Sequence, residues 1–195
     1  MTAGVPRPEH RNTRKNVAVT LRRWLYALTY DRQMAKVEAA GLGALRQGLL
    51  AQARGRVLEI GGGTGANLAL YGPEVESLTI TEPDSSMLHR LERKVREHAP
   101  IAKVQRASAE DLPYADGSFD VAVSTLVLCG VDDQPRALAE VRRVLRPQGR
   151  LLFLEHVRSD DAHVARRQGE GRTAGCGPLS RRHSVRRWWG PRCRR

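Results

Sequence analysis

Seven consecutive residues, Glu59-Ile60-Gly61-Gly62-Gly63-Thr64-Gly65, carry the densest chemical signal in this chain of 195 residues. Glycines in a turn permit positive φ and let the backbone approach a ligand closely. Gly61, Gly63 and Ala66 also satisfy the loose dinucleotide pattern G-x-G-x-x-G/A, which alone decides little. Glu82 lies 21 positions after Gly61. An acid at about that interval can hold ribose hydroxyls through its two oxygens. Farther on, His156 follows an apolar run. Imidazole exchanges a proton near neutrality, so His156 is the candidate general base, beside the commoner reading of a capping or packing histidine. Cys129 reads as a small apolar residue at a strand end rather than a nucleophile. With Cys176 and Cys193 it forms neither a metal-like spacing nor an even count. No metal site or disulfide framework is expected, and a reducing cytoplasm is the expected compartment.

These residues need elements to position them. Val57-Leu58-Glu59-Ile60 and Leu78-Thr79-Ile80-Thr81 read as strands, with a helix expected around residues 66–70 after the glycine turn. Asp84 or Ser85 caps a helix carrying Met87, Leu88, Leu91 and Val95. A short strand is expected over residues 102–105 and a continuous apolar strand over residues 119–128. A helix follows with Pro135 in its first turn and Leu138, Val141, Val144 and Leu145 inward. Pro147-Gln148-Gly149 is expected to end it, before a last apolar strand over residues 150–157. Apolar strands alternating with helices are buried on both faces, as in a parallel sheet. The fold class is therefore α/β, a doubly wound, mostly parallel sheet whose ligand crevice lies beyond the carboxyl ends of the strands.

Taken together, these motifs resemble the class I methyltransferases that use S-adenosylmethionine, in a Rossmann-like fold. Glu59-Ile60-Gly61-Gly62-Gly63-Thr64-Gly65 is similar to their E/D-x-G-x-G-x-G signature. S-adenosylmethionine presents an ammonium and a sulfonium, which a carboxylate attracts; the same carboxylate would repel a diphosphate. The resemblance implies that Glu59, Gly61, Gly63 and Gly65 hold the methionine end and Glu82 the ribose. It puts Met87 along the adenine, with core packing as an equal reading. Ser108-Ala109-Glu110-Asp111-Leu112-Pro113 resembles the adenine loop, where Glu110 or Asp111 accepts from the amino group. Glu110 is favoured, with Ala109 beside it. Ser124 lies in the run Ser124-Thr125-Leu126-Val127-Leu128-Cys129, which should border the transferable methyl group. Tyr30 resembles a tyrosine that closes over the cofactor. Arg143-Val144-Leu145-Arg146-Pro147-Gln148-Gly149 resembles R-x-L-R-P-G-G, with Gln148 where the family has glycine. The nearest likeness is to phosphatidylethanolamine N-methyltransferases and membrane-associated thiol methyltransferases. The quinone C-methyltransferases are more distant. The expected reaction is methyl transfer to a small-molecule or lipid-like acceptor by in-line displacement, where positioning supplies much of the acceleration.

The resemblance covers residues 30–158, and three segments follow: a basic arm with an amphipathic helix (1–30), the methyltransferase domain (31–158) and a basic tail (159–195). The formal net charge is +12, with six basic residues against one acid in residues 1–24, 11 against three in residues 157–195, and 16 against 17 between them. The basicity sits at the ends, so the domain lacks the basic body of a nucleic-acid enzyme, and nucleic acid is not an expected partner. Val17, Leu21, Trp24, Leu25 and Leu28 recur at helical spacing beside Arg14, Lys15, Arg22 and Arg23. That helix is read as a lid or as a membrane-surface helix, and peripheral membrane contact is the expectation attached to the second. The tail contains no strand-length apolar run and is read as disordered, in place of the last two strands of the family's sheet. A frameshifted C-terminus accounts for that composition. It leaves two rival expectations, an impaired remnant of a methyltransferase and a basic-tailed binding protein for nucleic acid or membrane.

Overall fold

Strands with apolar residues on alternate sides need cover on both faces, and a computed structural model of the chain supplies it. The structure describes residues 30–32, 34–99, 101–156, 161–162 and 166. The amphipathic helix expected within residues 14–28 and nearly all of the tail lie outside the described residues. Five strands form one sheet: β1 (Gly55–Ile60), β2 (Val75–Thr81), β3 (Ala102–Gln105), β4 (Phe119–Thr125) and β5 (Leu145–Leu154). Their order is β3-β2-β1-β4-β5, and every pairing is parallel. The chain turns from one half of the sheet to the other between β1 and β4. A crevice for ligands opens at such a switch point, outside the carboxyl ends of the strands.

Alternation along the strands divides the core in two. Leu58, Ile60 and Ala122 pack with Leu138, Val141 and Val144 of helix α3 (Gln134–Val144) on one face. Val57, Val121 and Val123 pack on the other face with Leu50 of helix α1 (Gly43–Leu50) and Leu91 and Val95 of helix α2 (Ser85–His98). Each fully buried aliphatic side chain contributes about 1.5–3 kcal/mol relative to exposure. Asp84 caps α2, accepting from the N–H groups of Ser86 at 2.8 Å and Met87 at 3.1 Å. Asp133 caps α3 through the Arg136 N–H at 3.0 Å, with Pro135 in the first turn. Ahead of α1 a π-helical segment, Glu38–Leu42, contains a kink where Gly41 takes φ 125°.

Four boundaries differ from the sequence expectation. No α-helix follows the glycine turn; residues 66–70 form turns and one 3-10 turn, Leu68–Leu70. The Asn67 side chain is drawn under the strands to the Glu59 carboxylate, 2.9 Å away, and Gly72-Pro73 follows too soon for a longer helix. β4 stops at Thr125 because Leu126 adopts φ 61°, a conformation that side-chain-bearing residues seldom take. The inward-packing residue Leu145 belongs to β5, where it pairs with Phe119, so α3 ends one residue earlier, at Val144. β5 runs over Leu145–Leu154 in place of the expected 150–157, so Pro147-Gln148-Gly149 lie inside it, where the pairing with β4 shifts register between Leu145 and Arg150. Among the described residues no helix is long and apolar enough to cross a membrane.

Candidate cofactor and methyl-transfer site

The glycine turn leaves β1 at the switch point. Gly61 and Gly63 take φ of 62° and 55°. A Cβ at Gly61 would sit 2.6 Å from Cγ2 of Val127, so glycine is required for the turn to close against the loop after β4. A Cβ at Gly63 would meet nothing within 4 Å, so open space lies beside that backbone. The Gly63 N–H donates to Glu82 Oε2 at 2.8 Å, and the Asp84 N–H donates to Glu82 Oε1 at 2.9 Å. Two backbone amides thus hold Glu82 at the end of β2 against the turn. Burial pushes its carboxyl above the ordinary value, and the amides of Asp84 and Gly63 act in the opposite direction.

Glu59 lies behind the turn, 2% exposed. Its Oε1 accepts from Asn67 Nδ2 at 2.9 Å and its Oε2 from the Tyr71 hydroxyl at 2.7 Å. Burial pushes its pKa up to about 7, against the pull of Tyr71, Asn67 and the nearby Arg46 charge. Arg46 of α1 is itself buried. Its Nη1 donates to Asn67 Oδ1 at 3.0 Å and to Thr125 Oγ1 at 2.7 Å, and its Nε to Glu38 Oε1 at 3.0 Å. Helix α1, the turn and the end of β4 are therefore tied through one guanidinium.

A second tie runs through Asp31. It accepts from the Thr64 hydroxyl, and from Arg90 Nη2 and Lys94 Nζ at 3.2 Å each. Burial opposes ionisation here, but Thr64, Lys94 and Arg90 together hold the carboxyl below its ordinary value. Its chain neighbour Tyr30 is half-buried.

On the β4–β5 side, Glu155 Oε1 accepts from Ser124 Oγ at 2.6 Å and from the N–H groups of Val127 and Leu128 at 3.0 Å each. Oε2 of Glu155 is buried without a hydrogen-bond partner among the described residues. This carboxylate fixes the loop that follows the positive-φ Leu126. Cys129 Sγ lies 3.6 Å from His156 Nδ1 in the same corner, with the thiol buried and the imidazole exposed.

The sequence-derived residues fall into three groups. Glu59, Gly61, Gly63, Gly65 and Glu82 converge on the turn, while Tyr30 is placed only as the half-buried chain neighbour of Asp31. Ser124 and His156 stand at the ends of β4 and β5, where the Ser124 hydroxyl is committed to Glu155. Met87 and Ala109 are buried, and Met87 lies in the first turn of α2. Glu110 accepts from the Asp133 N–H at 2.7 Å and from Ser108 Oγ at 2.9 Å, and the Asp133 amide above all holds its carboxyl below the ordinary value. Asp111 is exposed. Sequence reasoning passed over Asp31, Arg46, Asn67, Tyr71, Thr125 and Glu155. Asn67 had one available signal, an amide side chain two residues past the last glycine of the turn; a buried Arg46 had none.

The donor set suits S-adenosylmethionine. Two buried carboxylates flank a glycine turn with open space beside it, so the site favours a cationic ligand with ribose hydroxyls over a diphosphate. The family described as "methyltransferase domain" matches residues 58–153. The human thiol S-methyltransferase TMT1A is 36% identical over 138 residues, which are 69% of this chain and 56% of that protein. The ubiquinone/menaquinone biosynthesis C-methyltransferase UbiE of Vibrio campbellii is 38% identical over 105 residues, 51% of this chain and 40% of that one. The chain thus spans about half the length of these curated relatives. Among solved structures, an S-adenosylmethionine-dependent methyltransferase of Thermotoga maritima superposes with a TM-score of 0.62 at 25% identity, over 82% of this chain and 73% of that one. Sheet order, glycine turn, paired acids and relatives agree: the chain belongs to the class I methyltransferases that take S-adenosylmethionine as cofactor.

Proposed function

We propose that the protein transfers a methyl group from S-adenosylmethionine to a small-molecule or lipid-like acceptor, with a thiol as the favoured acceptor. The observation that carries this reading is the pair of buried carboxylates, Glu59 behind the glycine turn and Glu82 beside it. The names of the relatives, a thiol S-methyltransferase and a quinone-biosynthesis C-methyltransferase, support a small acceptor.

When bound, the cofactor supplies a methyl group already activated on a sulfonium for in-line displacement. Glu59 and the turn of Gly61, Gly63 and Gly65 hold the methionine end, and Glu82 the ribose. Met87, Ala109 and Glu110 line the adenine. Tyr30 closes over the crevice and excludes water. Ser124, anchored by Glu155, sets the wall beside the methyl group. His156, beside Cys129, takes the proton from a thiol as the sulfur attacks, or from an ammonium before the freed nitrogen lone pair attacks. An acceptor that carries no proton at the attacking atom needs no such base. Peripheral membrane contact, for a protein of the cytoplasm, goes with a lipid-like acceptor and is read by flotation of the full chain with anionic vesicles.

The test is formation of S-adenosylhomocysteine by the full chain with small thiols, phenols, amines and phosphatidylethanolamine vesicles in turn. Product with thiols that falls at least tenfold in His156→Ala, with cofactor affinity kept, supports the reading. Tight cofactor binding without turnover on any class contradicts methyl transfer to small acceptors.

A further inference from the structure

The turn that follows β4 holds one sulfur in a fixed place. The Gly130 N–H donates to the Val127 carbonyl at 2.8 Å and closes a turn with Cys129 inside it. Three further bonds pin that turn. The Val127 and Leu128 N–H groups donate to Glu155 Oε1 at 3.0 Å each, and Gln134 Nε2 donates to the Leu128 carbonyl at 2.8 Å. Cys129 is 5% exposed, and its Sγ lies 3.6 Å from His156 Nδ1. His156 is the chain neighbour of Glu155. The carboxylate that anchors the turn therefore also fixes the strand end that carries the imidazole, and sulfur and ring keep their spacing.

A neutral imidazole has one N–H and one nitrogen lone pair, and the partner of one nitrogen decides what the other can do. Two arrangements satisfy the Cys129 contact. If the thiol S–H donates to Nδ1, the ring proton sits on Nε2, and the nitrogen turned away from the sulfur cannot take another. If Nδ1–H donates to Sγ, Nε2 is a free base. Only the second arrangement survives proton uptake. In imidazolium both nitrogens are donors, so Nδ1–H still needs an acceptor after the transfer. The sulfur lone pairs serve before and after, with no rearrangement of a pinned turn.

Resting on the assignment of His156 as base, we propose that Cys129 is a positioning residue: its sulfur accepts from His156 Nδ1–H and so keeps Nε2 unprotonated for the proton of the acceptor. The Cys129 thiol itself makes and breaks no bond. The proton of an acceptor thiol passes to Nε2, and the freed sulfur pair forms the new bond to the methyl carbon. The bond from that carbon to the sulfonium breaks, and its electron pair stays on S-adenosylhomocysteine. The imidazolium then returns its proton to solvent, to which the ring is exposed.

Nitrogen NMR of the full chain with isotopically labelled histidine reads the tautomer without any turnover. The His156 resonances are identified by their loss in His156→Gln. In mildly alkaline buffer, where imidazole is ordinarily neutral, the wild type is expected to carry its ring proton on Nδ1. Cys129→Ala releases the ring, and the Nδ1–H population falls by at least about twofold, whereas Cys129→Ser keeps an acceptor in place and retains it. Turnover with small thiols follows the same order. In Cys129→Ala kcat falls about tenfold, with KM and S-adenosylhomocysteine affinity within about threefold of wild type, and Cys129→Ser recovers most of the loss. A wild type with its proton on Nε2 overturns the proposal, and that spectrum needs no variant to fold. So does an unchanged tautomer in Cys129→Ala, or a loss of kcat that Cys129→Ser does not recover. Turnover that His156→Ala leaves unchanged overturns the base assignment and the positioning role with it. The wild-type spectrum tells that result apart from a wrong tautomer.

Discussion

The Tyr71 hydroxyl donates to Glu59 Oε2 at 2.7 Å beneath the glycine turn, and this phenol is one of two side chains that keep a buried carboxylate hydrogen-bonded. The pair shows how the site balances its charges. Burial favours the protonated Glu59, while Tyr71, Asn67 and Arg46 favour the ionised form that a cationic ligand needs.

The first prediction follows from the Glu59 pKa of about 7 against an ordinary 4.5. Between those values the folded protein binds more protons than the unfolded chain. The stability this group contributes is fully present below about pH 4.5 and is lost as pH rises through about 7. The loss is on the order of 3 kcal/mol. Glu82, also raised by burial, acts in the same direction, so the Glu59 share must be isolated by substitution. Urea unfolding at pH 5 and pH 8 should show a smaller fall in stability for Glu59→Gln than for the wild type. Tyr71→Phe removes a bond to the carboxylate and should extend the wild-type fall to higher pH. Equal falls in the wild type and Glu59→Gln contradict the assignment.

Gly61 supplies the second. Its φ is 62°, and a Cβ there would meet Val127 Cγ2 at 2.6 Å. Gly61→Ala should cost about 2–4 kcal/mol, from the left-handed backbone and from overpacking together. Adding Val127→Ala should relieve the overpacking share and leave the backbone share of about 1–2 kcal/mol. Denaturant midpoints of the single and double variants separate the two. Complete rescue by Val127→Ala would mean that the backbone conformation is not the constraint.

The third concerns Gln148, which takes φ 69° where the family's pattern has glycine. The exposed Gln148 side chain makes no compensating burial. Gln148→Gly should stabilise the irregular first half of β5, where the register with β4 shifts, by about 0.5–1 kcal/mol, the left-handed penalty less the added freedom of the unfolded chain. A rise in urea midpoint at unchanged m-value is the expected result, and a fall contradicts it.

The parts of this fold that were legible in the sequence are those set by local periodicity and by short-range caps. The Leu78-Thr79-Ile80-Thr81 run, the Asp84 cap and Pro135 in the first turn of α3 each carry their signal within a few residues. Glu59, Gly61 and Glu82 were legible because the turn and the strand end place them at fixed intervals. What stayed hidden depends on distant partners. Nothing near Arg46 announces that its charge is buried against Thr125, 79 positions away. Residues 66–70 look helical by composition, yet Asn67 is captured by Glu59 and the helix does not form. Glu155 reads as an ordinary strand-end acid until its Oε1 is seen to hold Ser124, Val127 and Leu128 together.

The central claim is that the turn between Glu59 and Glu82 binds S-adenosylmethionine. Calorimetric titration of the full chain with S-adenosylhomocysteine, alongside Glu82→Ala, tests it most directly. Glu82→Ala removes the carboxylate that accepts from the Gly63 and Asp84 amides. The account predicts one site with micromolar affinity in the wild type and a loss of at least about thirtyfold in the variant, with the fold kept. Absence of binding to folded wild-type protein, or equal affinity in Glu82→Ala, contradicts it.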